Sequence, residues 1–472
     1  MKNLVPLRKN DLDALFDENS LHNIAESWSS YGVSIDSRSI ERGNLFVCLK
    51  GENFDAHEKV ADAFEKGASA SLVESDWFEE NKNLYPSQAF IVVKNCLRAL
   101  GEIAQLKRQH FDIPIIAVAG SNGKTTTKEF ISHLLSSQYN VLKTKNNYNN
   151  QVGVPLMLLA LTEEHQVAVI EIGTSEPGEI DILSRMLMPT HGIITNIGKE
   201  HLEKLIDLDG VELEETYLFG YLKKHDGLAF INFDDKRLRK YSRILEKYIS
   251  FGESEDADIN SKIVCDEQLR PSLSFNVNST KIEAKLIAQG KSFGYSAIAA
   301  TAIAIHFGIS KENIEKGLSS FAPDASESYG RMLFEEIGTN IFINDCYNAN
   351  PDSMLNALNV LSEIKCKEAG KKIAVLGDML ELGETAIEEH KEIICKALEV
   401  ADIVFLYGEH FRDAYKQENF FCKNNLNKTA QVFHQKSTLI CELKNTVLEN
   451  DIILVKASRG MKLEEVILGF KN

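Results

Sequence analysis

Hydrophobic residues along this chain recur in short continuous runs, separated by longer stretches of mixed polarity. In the middle of the chain, the runs that predict strands are residues 113–119, 167–172, 192–195 and 228–231. The stretches between these runs have helical character. Continuous apolar strands joined by helices are typical of a parallel sheet that is covered on both faces.

The last third of the chain repeats this alternation. Stretches rich in Ala, Leu, Glu and Lys separate predicted strands at residues 341–344, 372–376, 403–407 and 452–455. Two successive series of alternating strands and helices indicate two doubly wound α/β units. The Phe321-Ala-Pro sequence marks the boundary between them, because proline interrupts a helix.

The first part of the chain differs, because its predicted strands are short and lie at residues 45–49, 71–74 and 89–94. A length of 472 residues suggests about three domains. We therefore predict an α/β protein with a small N-terminal α/β domain (1–108), a central parallel-sheet domain (109–320) and a C-terminal Rossmann-like domain (321–472).

Composition narrows the classes of function. The formal net charge of −17 argues against nonspecific binding to nucleic acid or to an anionic membrane, since both require a positive field. The eight cysteines form no C-x-x-C pair and no zinc-ligand spacing, which is typical of reduced thiols. Residues 1–16 contain no apolar signal core, and no stretch approaches the roughly 18 apolar residues of a membrane helix. We expect a cytoplasmic protein without membrane insertion.

The strongest local motif is Gly120-Ser-Asn-Gly-Lys-Thr-Thr-Thr127, directly after a predicted strand. Its glycines allow the backbone to approach a phosphate, and its N–H groups with the following helix N-terminus attract an anion. Lys124 is placed to reach the β- and γ-phosphates, and the hydroxyl of Thr125 or Thr126 to hold Mg²⁺. The spacing is the short G-x-x-G-K-T form, since the longer pattern requires glycine where Val118 stands. The alternative is a plain glycine turn with a solvated lysine.

Other polar residues follow the ends of the central strands. Glu171 ends one strand, and ligands of open α/β sheets bind at the carboxyl ends of strands. Its carboxylate is a candidate Mg²⁺ ligand, although a solvated strand-end glutamate is an equal alternative. Asn149 and Asn150 belong to a loop near the same edge. His201 follows another strand-end loop, and a lone histidine is more often structural.

Taken together, these motifs resemble those of the Mur ligase family. The N-terminal part contributes Asp36-Ser-Arg38 and Gly51-Glu-Asn-Phe-Asp-Ala-His57. The central part contributes the phosphate-loop motif, Glu171, Thr195-Asn-Ile-Gly198 and His201-Leu-Glu203. The C-terminal part contributes Gly330-Arg331, Asn344-Asp-Cys-Tyr-Asn-Ala-Asn-Pro351, Gly377-Asp-Met-Leu-Glu-Leu-Gly383 and Lys456-Ala-Ser-Arg459. The resemblance covers nearly the whole chain in the expected order.

The resemblance implies an ATP-dependent amide ligase of peptidoglycan precursor synthesis that uses ATP and Mg²⁺, with a central ATPase domain. No histidine occurs between Asn344 and Asp352, unlike in the family members that add single amino acids. The resemblance therefore implies D-alanyl-D-alanine as the incoming dipeptide and UDP-N-acetylmuramoyl-tripeptide as its acceptor, bound by a monomer. The alternative within the superfamily is another amino-acid-adding ligase of the Mur or folylpolyglutamate type.

The resemblance also implies roles for individual residues. Those expected to bind the nucleotide are Gly120, Ser121, Asn122, Gly123, Lys124, Thr125, Thr126, Asn232 and Asp345. Those expected to position Mg²⁺ are Thr125, Glu171, His201 and Glu215. Those expected to act in catalysis are Lys124, His201, Glu215 and Arg331. Those expected to bind the two substrates are Ser34, Ser37, Arg38, Asn149, Asn150, Asn348 and Asn350.

The chain departs from the family where many relatives carry a carbamylated lysine after the His-Leu-Glu sequence. Aligned without gaps, that position is Glu215. We hypothesise that Glu215 supplies the negative charge directly, with Glu214 as the alternative register. The opposing interpretation is that both glutamates form an exposed helix face.

A second departure concerns the base of the nucleotide. Many relatives carry G-x-H-N-x-x-N, whose asparagines read adenine, where this chain has Gly290-Lys-Ser-Phe-Gly-Tyr-Ser296. Phe293 or Tyr295 either stacks on the base or simply packs in the protein, and packing is favoured slightly.

Two other classes of function stay open: a P-loop ATPase that acts through partners, and a noncatalytic binder of UDP-muramoyl peptides.

Overall fold

The computed structural model describes residues 6–277, 280–323, 330–367, 369–417 and 430–471. Within these residues, each third of the chain contains one main β-sheet with helices packed against it. This architecture confirms the predicted three-domain α/β fold. Cys422, one of the predicted thiols, lies outside the described residues.

The N-terminal part is built on a five-stranded sheet in the order β2-β7-β6-β5-β4, with a small β1–β3 ribbon beside it. The strands are β1 (Leu7–Arg8), β2 (Leu21–His22), β3 (Ser29–Ser30), β4 (Val33–Ser34), β5 (Leu45–Val47), β6 (Ala70–Glu74) and β7 (Phe90–Val93). The helices are α1 (Lys9–Asp13), α2 (Val60–Glu65), α3 (Ser75–Asn81) and α4 (Cys96–Gln109). Leu72 and Ile91 of the sheet share a buried core with Leu100 and Ile103 of α4.

The central part contains a seven-stranded, entirely parallel sheet in the order β14-β13-β12-β11-β8-β10-β9. Its strands are β8 (Ile115–Ala119), β9 (Val141–Lys143), β10 (Val167–Glu171), β11 (His191–Ile194), β12 (Leu228–Asn232), β13 (Tyr248–Gly252) and β14 (Ile259–Asn260). The helices of this part are α5 (Lys124–Leu135), α6 (Gly153–Leu159), α7 (Glu179–Leu187), α8 (Leu202–Leu205), α9 (Leu208–Glu215), α10 (Tyr217–Lys224), α11 (Lys236–Arg239), α12 (Lys291–His306) and α13 (Lys311–Ser320). The last helix ends just before Phe321, where the proline-containing sequence predicts an end.

Both faces of the central sheet are covered, which explains its uninterrupted apolar strands. All five residues of β8 are buried. Phe130 of α5 and Ile298 of α12 belong to the core on one face. Leu183 of α7 and Leu218 of α10 belong to the core on the other face.

The central part also contains a three-stranded antiparallel sheet that the sequence analysis did not predict. It consists of β15 (Val264–Cys265), β16 (Pro271–Val277) and β17 (Thr280–Lys285). Along β16, buried and more exposed residues alternate, as expected for a sheet with one solvated face. Continuous apolar runs therefore do not mark these strands in the sequence.

The C-terminal part contains a six-stranded sheet in the order β18-β19-β23-β20-β21-β22. Its strands are β18 (Leu333–Ile337), β19 (Asn340–Asp345), β20 (Lys372–Gly377), β21 (Ile403–Tyr407), β22 (Ala430–Phe433) and β23 (Ile452–Lys456). Its helices are α14 (Pro351–Glu363), α15 (Ala386–Val400), α16 (Glu409–Lys416), α17 (Lys436–Thr446) and α18 (Glu464–Lys471). Only the β18–β19 pair is antiparallel within the described part of this sheet.

The central and C-terminal parts contact each other next to the phosphate-loop motif. The backbone N–H of Lys199 donates to Asp352 Oδ2 at 2.8 Å, and Asn350 Nδ2 donates to Asn122 Oδ1 at 3.0 Å. None of the helices in the described ranges combines the length and apolar content needed to cross a membrane. The domain boundaries at 108 and 320 stay predictions.

Candidate active site

A cleft of about 530 Å³ lies between the central and C-terminal sheets. Loops that follow β8, β10 and β11 line one side, and loops that follow β19, β20 and β23 line the other. Four basic side chains, those of Lys124, Arg331, Lys456 and Arg459, are among the lining residues. The cleft therefore offers cationic groups to an anionic ligand within a protein of strongly negative net charge.

The phosphate-loop motif connects β8 to α5 on the central side of this cleft. Gly123 precedes α5 with a φ of 80°, and Gly120 has a φ of 109°, so both adopt backbone conformations that favour glycine. The loop is held by the neighbouring strand-end loop: Ser121 N donates to the carbonyl of Asn196 at 2.9 Å, and Thr195 Oγ1 donates to the carbonyl of Asn122 at 2.8 Å. The peptide N–H groups at the start of α5 face no earlier turn of helix and are available to an anion.

Lys124 is largely shielded from solvent, with 15% of its side chain exposed, and so is not the solvated lysine of the alternative interpretation. Its ammonium group donates to the carbonyl of Gly120 and lies 3.4 Å from Glu200 Oε2. Burial alone would lower the pKa of Lys124, but the carboxylates of Glu200, Glu215 and Glu171 outweigh burial and raise that pKa above its ordinary value. The lysine is therefore fully charged at the bottom of the cleft.

Glu171 lies at the end of β10 and is buried, which rules out the solvated interpretation for this residue. Its Oε2 accepts a hydrogen bond from Thr125 Oγ1 at 2.9 Å, and its Oε1 accepts one from Asn149 Nδ2 at 2.9 Å. Asn150 has a structural contact instead, because its side-chain oxygen accepts from Gly153 N at 2.9 Å at the start of α6. The cleft lining includes Glu171, Thr125, Asn149 and Asn150.

The two glutamates at the end of α9 face different partners. Glu214 accepts from Gly178 N at 2.6 Å and from Ile180 N at 2.8 Å, and so stabilises the start of α7. Glu215 Oε2 accepts from Gly120 N at 2.7 Å, beneath the phosphate loop. Both side chains are buried, so the interpretation as an exposed helix face is wrong. Of the two registers, the structure places Glu215 next to the nucleotide motif.

The pKa of Glu215 lies well above its ordinary value. Burial first, and the nearby carboxylate of Glu200 second, raise the pKa of Glu215 to about 8. Within the described residues, its Oε1 has no hydrogen-bond donor. Burial and the neighbouring carboxylate therefore disfavour the ionised form of Glu215 unless a cation compensates its charge.

Glu200 was not singled out from the sequence, although it precedes His201 directly. It is buried, lines the cleft, and lies within hydrogen-bonding reach of Glu215. Its Oε1 likewise has no hydrogen-bond donor among the described residues. The available signal was a charged side chain next to a motif histidine, which alone does not separate a site residue from a solvated one.

His201 adopts a left-handed backbone conformation, with φ 49°, just before α8. Its Nδ1 lies 2.5 Å from Glu381 Oε2 in the loop after β20. The hydrogen bond from His201 is the main reason that the pKa of Glu381 lies below its usual range. His201 thus lines the cleft and connects its two sides.

On the C-terminal side, Arg331 stacks on Tyr347, with its guanidinium carbon 3.6 Å from the ring centroid. Among the described residues, no acceptor bonds its Nε. Asp345 accepts from Met332 N at 2.9 Å and from Lys456 Nζ at 2.6 Å. A cation and a carboxylate are therefore held in fixed positions opposite the phosphate loop.

Asn348 and Asn350 also line the cleft. The carbonyl of Asn348 accepts from Lys456 Nζ at 2.9 Å, which fixes the loop that carries it. Asn350 caps α14, since its Oδ1 accepts from Ser353 N at 2.8 Å, and its Nδ2 reaches Asn122 of the phosphate loop. This loop thus contacts the central part directly.

Some predicted site residues lie elsewhere. In the described part of the chain, the cleft lining does not include Asn232, Ser34, Ser37 or Arg38. Asn232 Nδ2 donates to the carbonyl of Thr195 at 2.8 Å and so connects two strand ends. The other three lie in the N-terminal part, where Arg38 NH2 pairs with Asp36 Oδ2 at 2.7 Å and its hydrogen bonds lower the pKa of Asp36 to about 2.

The residues that replace the family's adenine-reading asparagines are only partly in the cleft. Phe293 is buried in the central core and also lines the cleft. Ser296 lines it too and lies 3.1 Å from Thr127 Oγ1. Tyr295 instead donates to Glu253 Oε2 at 2.9 Å outside the lining. Phe293 is therefore packed in the core, as the favoured expectation has it, whereas Tyr295 is 40% exposed and hydrogen-bonded at the surface.

The residues around Lys124 fit a hard divalent cation. The described residues contain no cluster of three or more His, Cys, Asp or Glu side chains placed to hold a metal ion. They do offer the hydroxyl of Thr125, the carboxylate of Glu171, and buried carboxylate oxygens of Glu200 and Glu215 that lack partners there. Few protein oxygens combined with phosphate oxygens are typical of Mg²⁺ sites.

Comparisons with known proteins agree with this geometry. Models of Mur ligase domains match three successive parts of the chain: the Mur ligase family catalytic domain at residues 29–108, the middle domain at 118–304 and the glutamate ligase domain at 330–459. The UDP-N-acetylmuramoyl-tripeptide–D-alanyl-D-alanine ligase of Bacillus subtilis is 36% identical over 440 residues, which cover 93% of this chain and 92% of that protein. The ligase of the same name from Escherichia coli is 30% identical over 440 residues, or 92% of each chain.

Solved structures show the same likeness. A crystal structure of MurF from Acinetobacter baumannii is 28% identical, covers 100% of both chains and has a TM-score of 0.85. The MurF ligase of Thermotoga maritima, solved in complex with ADP, is 25% identical, covers 93% of this chain and 97% of its own, and has a TM-score of 0.79.

Proposed function

The chain belongs to the Mur ligase family, and from that membership we infer that it joins D-alanyl-D-alanine to UDP-N-acetylmuramoyl-tripeptide at the expense of ATP. It is an ATP-dependent ligase of peptidoglycan precursor synthesis, like the relatives that it matches over nearly its whole length. The observation that carries this proposal is the convergence of Lys124 and Arg331, from two different parts of the chain, on one cleft.

The reaction that we propose has two steps. A carboxylate oxygen of the tripeptide attacks the γ-phosphorus of ATP, the bond to the β-phosphate oxygen breaks, and an acyl phosphate and ADP result. The amine of D-alanyl-D-alanine then attacks the acyl carbon and loses a proton, and inorganic phosphate leaves. The first step is needed because a carboxylate is a poor acyl donor, whereas phosphate is a good leaving group.

The chain's own part is to position the substrates and to neutralise charge. Lys124 balances the γ-phosphate from the central side, while Arg331, stacked on Tyr347, approaches from the C-terminal side. We assign Asp345 to the ribose and Asn348 and Asn350 to the dipeptide, and their positions in the cleft lining support this. Closure of the cleft excludes water, which would otherwise hydrolyse the acyl phosphate.

Mg²⁺ would be held by the oxygens of Thr125 and Glu171, with His201 and the carboxylate pair behind Lys124 nearby. When bound, the ion would neutralise phosphate charge. Thr125 and Glu171 are already oriented by their mutual hydrogen bond, and Asn149 fixes the other oxygen of the carboxylate. These side chains therefore need little rearrangement to accept a cation.

The N-terminal part would bind the uridine diphosphate of the acceptor. Ser34 is buried and held by the carbonyl of Asp36 at 2.9 Å, Ser37 is buried beside it, and Arg38 is exposed. These side chains form a small preorganised turn with one cation available to a diphosphate. We further propose the boundaries 1–108, 109–320 and 321–472, a cytoplasmic location and a monomeric state, the last to be checked by light scattering.

The test is phosphate release with ATP, Mg²⁺, UDP-N-acetylmuramoyl-tripeptide and D-alanyl-D-alanine, with each component omitted in turn. We expect release only when all four are present, and no release with Lys124→Ala. Turnover of ATP without the tripeptide would indicate an ATPase, and no turnover at all would indicate a noncatalytic binder. Activity with a single amino acid in place of the dipeptide would indicate another ligase of the superfamily.

A further inference from the structure

The carboxylate of Glu200 occupies a position that the family resemblance does not assign. Its Oε2 lies 3.4 Å from Lys124 Nζ, and the carboxylate also interacts with that of Glu215. Glu200 lines the cleft, whereas Glu215 is fully buried and is not among the described lining residues. Of the two carboxylates, Glu200 is therefore the one that a ligand in the cleft can contact.

Glu215 is poorly placed to replace a carbamylated lysine by itself. A glutamate side chain is several bonds shorter than a lysine extended by a carbamate. One of its oxygens is also occupied, because Oε2 accepts from Gly120 N at 2.7 Å. Its other oxygen lacks a donor within the described residues, and its nearest acidic neighbour is Glu200. Two shorter side chains in series thus span the distance from α9 to the cleft.

The charges around Lys124 point to a cation at this place. In the structure, one ammonium group faces the carboxylates of Glu200, Glu215 and Glu171. Phosphates that draw Lys124 toward themselves leave the Glu200–Glu215 pair without its nearest positive group. An uncompensated buried carboxylate pair is strongly unfavourable, and a divalent ion between the pair and the phosphates removes the problem.

We infer that Glu200 is a direct ligand of a divalent cation on the bound nucleotide, and that Glu215 is a positioning residue that holds Glu200 and the phosphate loop. Two acceptor atoms carry this inference: Glu200 Oε1 and Glu215 Oε1 are buried next to one another's carboxylates, and neither has a hydrogen-bond donor within the described part of the chain. The inference rests on the proposed function, since it assumes a nucleotide in this cleft. It also implies that the enzyme needs no carbamylation at this position.

The test measures Mn²⁺ binding to the full-length protein with a nonhydrolysable ATP analogue, by electron paramagnetic resonance. Glu200→Gln is expected to weaken Mn²⁺ binding by about tenfold or more, as for loss of a group in a metal site. Without divalent ions it should bind the analogue as well as the wild type does, or better, because a negative charge is removed. Glu200→Asp should restore part of the Mn²⁺ affinity. Glu176→Gln is the matched control, since its exposed side chain lies 3.5 Å from Lys204 outside the cleft, and it should change nothing.

Glu215→Gln separates the two roles. It should weaken Mn²⁺ binding less than Glu200→Gln does. It should also weaken binding of the ATP analogue in the absence of metal, because the contact between Glu215 and Gly120 N changes. Bicarbonate should leave Mn²⁺ affinity unchanged in the wild type. Wild-type Mn²⁺ affinity in Glu200→Gln, or stimulation by bicarbonate, would overturn the inference. If Mn²⁺ binding depends on Glu200 but no peptide bond forms, the cation site stands and the proposed function fails.

Discussion

Replacement of Gly120 by alanine should damage the phosphate loop far more than the same replacement at Gly178. Both glycines have positive φ, 109° and 91° respectively, so alanine introduces backbone strain of about 1–2 kcal/mol at each. At Gly178 the new Cβ meets no atom within 4 Å in the described structure. At Gly120 it lies 2.3 Å from Thr195 Oγ1 and 2.7 Å from Thr195 N. Since a backbone atom must move, we expect a further loss of about 1–3 kcal/mol at Gly120.

The assay compares thermal unfolding of the two variants with and without ADP, and ADP affinity by isothermal titration calorimetry. For a unit of about 200 residues, each kcal/mol lowers the Tm by roughly 2–4 °C, so Gly120→Ala should melt several degrees below Gly178→Ala. Displacement of Thr195 also moves Asn122, whose carbonyl accepts from Thr195 Oγ1 at 2.8 Å. ADP affinity should therefore fall by about tenfold or more in Gly120→Ala and stay near wild type in Gly178→Ala. Equal melting temperatures and unchanged ADP affinity in both variants would refute the steric argument.

Three further outcomes are expected. Lys199→Met removes the 2.6 Å ion pair between the central part and the nearly buried Glu389 of the C-terminal part, so the radius of gyration from small-angle scattering should increase. High salt should increase the radius of the wild type too, and an unchanged radius in the variant would contradict a role of this ion pair in holding the two parts together. Arg331→Lys keeps the charge but loses planar stacking on Tyr347, so kcat should fall about tenfold to a hundredfold with little change in ADP affinity. An equally large loss of ADP affinity would show instead that Arg331 acts in nucleotide binding. Burial lowers the pKa of His191 from 6.5 to about 4, so burial of its neutral form stabilises the fold above pH 6.5, and this stabilisation is lost as the pH falls toward 4. His191→Phe should therefore flatten the decline of the urea unfolding midpoint between pH 6.5 and pH 4, and an unchanged decline would show that His191 is not its cause.

Four adjacent inner strands of the central sheet and of the C-terminal sheet could be predicted closely from the sequence, because they are covered on both faces and are continuously apolar. Residues 403–407 were predicted as a strand and form β21 with the same bounds. The strand predicted at 452–455 extends by one residue to Lys456, whose buried ammonium pairs with Asp345. A lysine at a strand end gives no sequence signal of burial, since its partner Asp345 lies 111 residues earlier in the sequence.

Strands without a continuous apolar run were harder to predict. In Tyr248–Gly252 burial increases along the strand, and in Pro271–Val277 it alternates, so neither contains a run of continuous apolar character. Such strands are formed because neighbouring chain segments complete their hydrogen bonds, which local pattern does not report.

In the site, the glycine and lysine motif was visible because its residues are adjacent in sequence. The partners of these residues were not visible for the opposite reason. Glu200 is separated from Lys124 by 76 residues, and Asn350 from Asn122 by 228. Only folding brings these groups together, and the periodicity of apolar residues carries no information about contacts between residues so far apart in the sequence. The family resemblance supplied the positions that motifs share, but Glu200 stands outside those motifs.

The three consecutive residues Lys199, Glu200 and His201 point to three different destinations. The first reaches Glu389 in α15, the second Lys124, and the third Glu381 after β20. One short stretch of backbone thus connects contact between the two sides of the cleft to the position of the phosphate-binding lysine. Insertion of a single residue here would uncouple closure of the cleft from positioning of Lys124, even with every side chain retained.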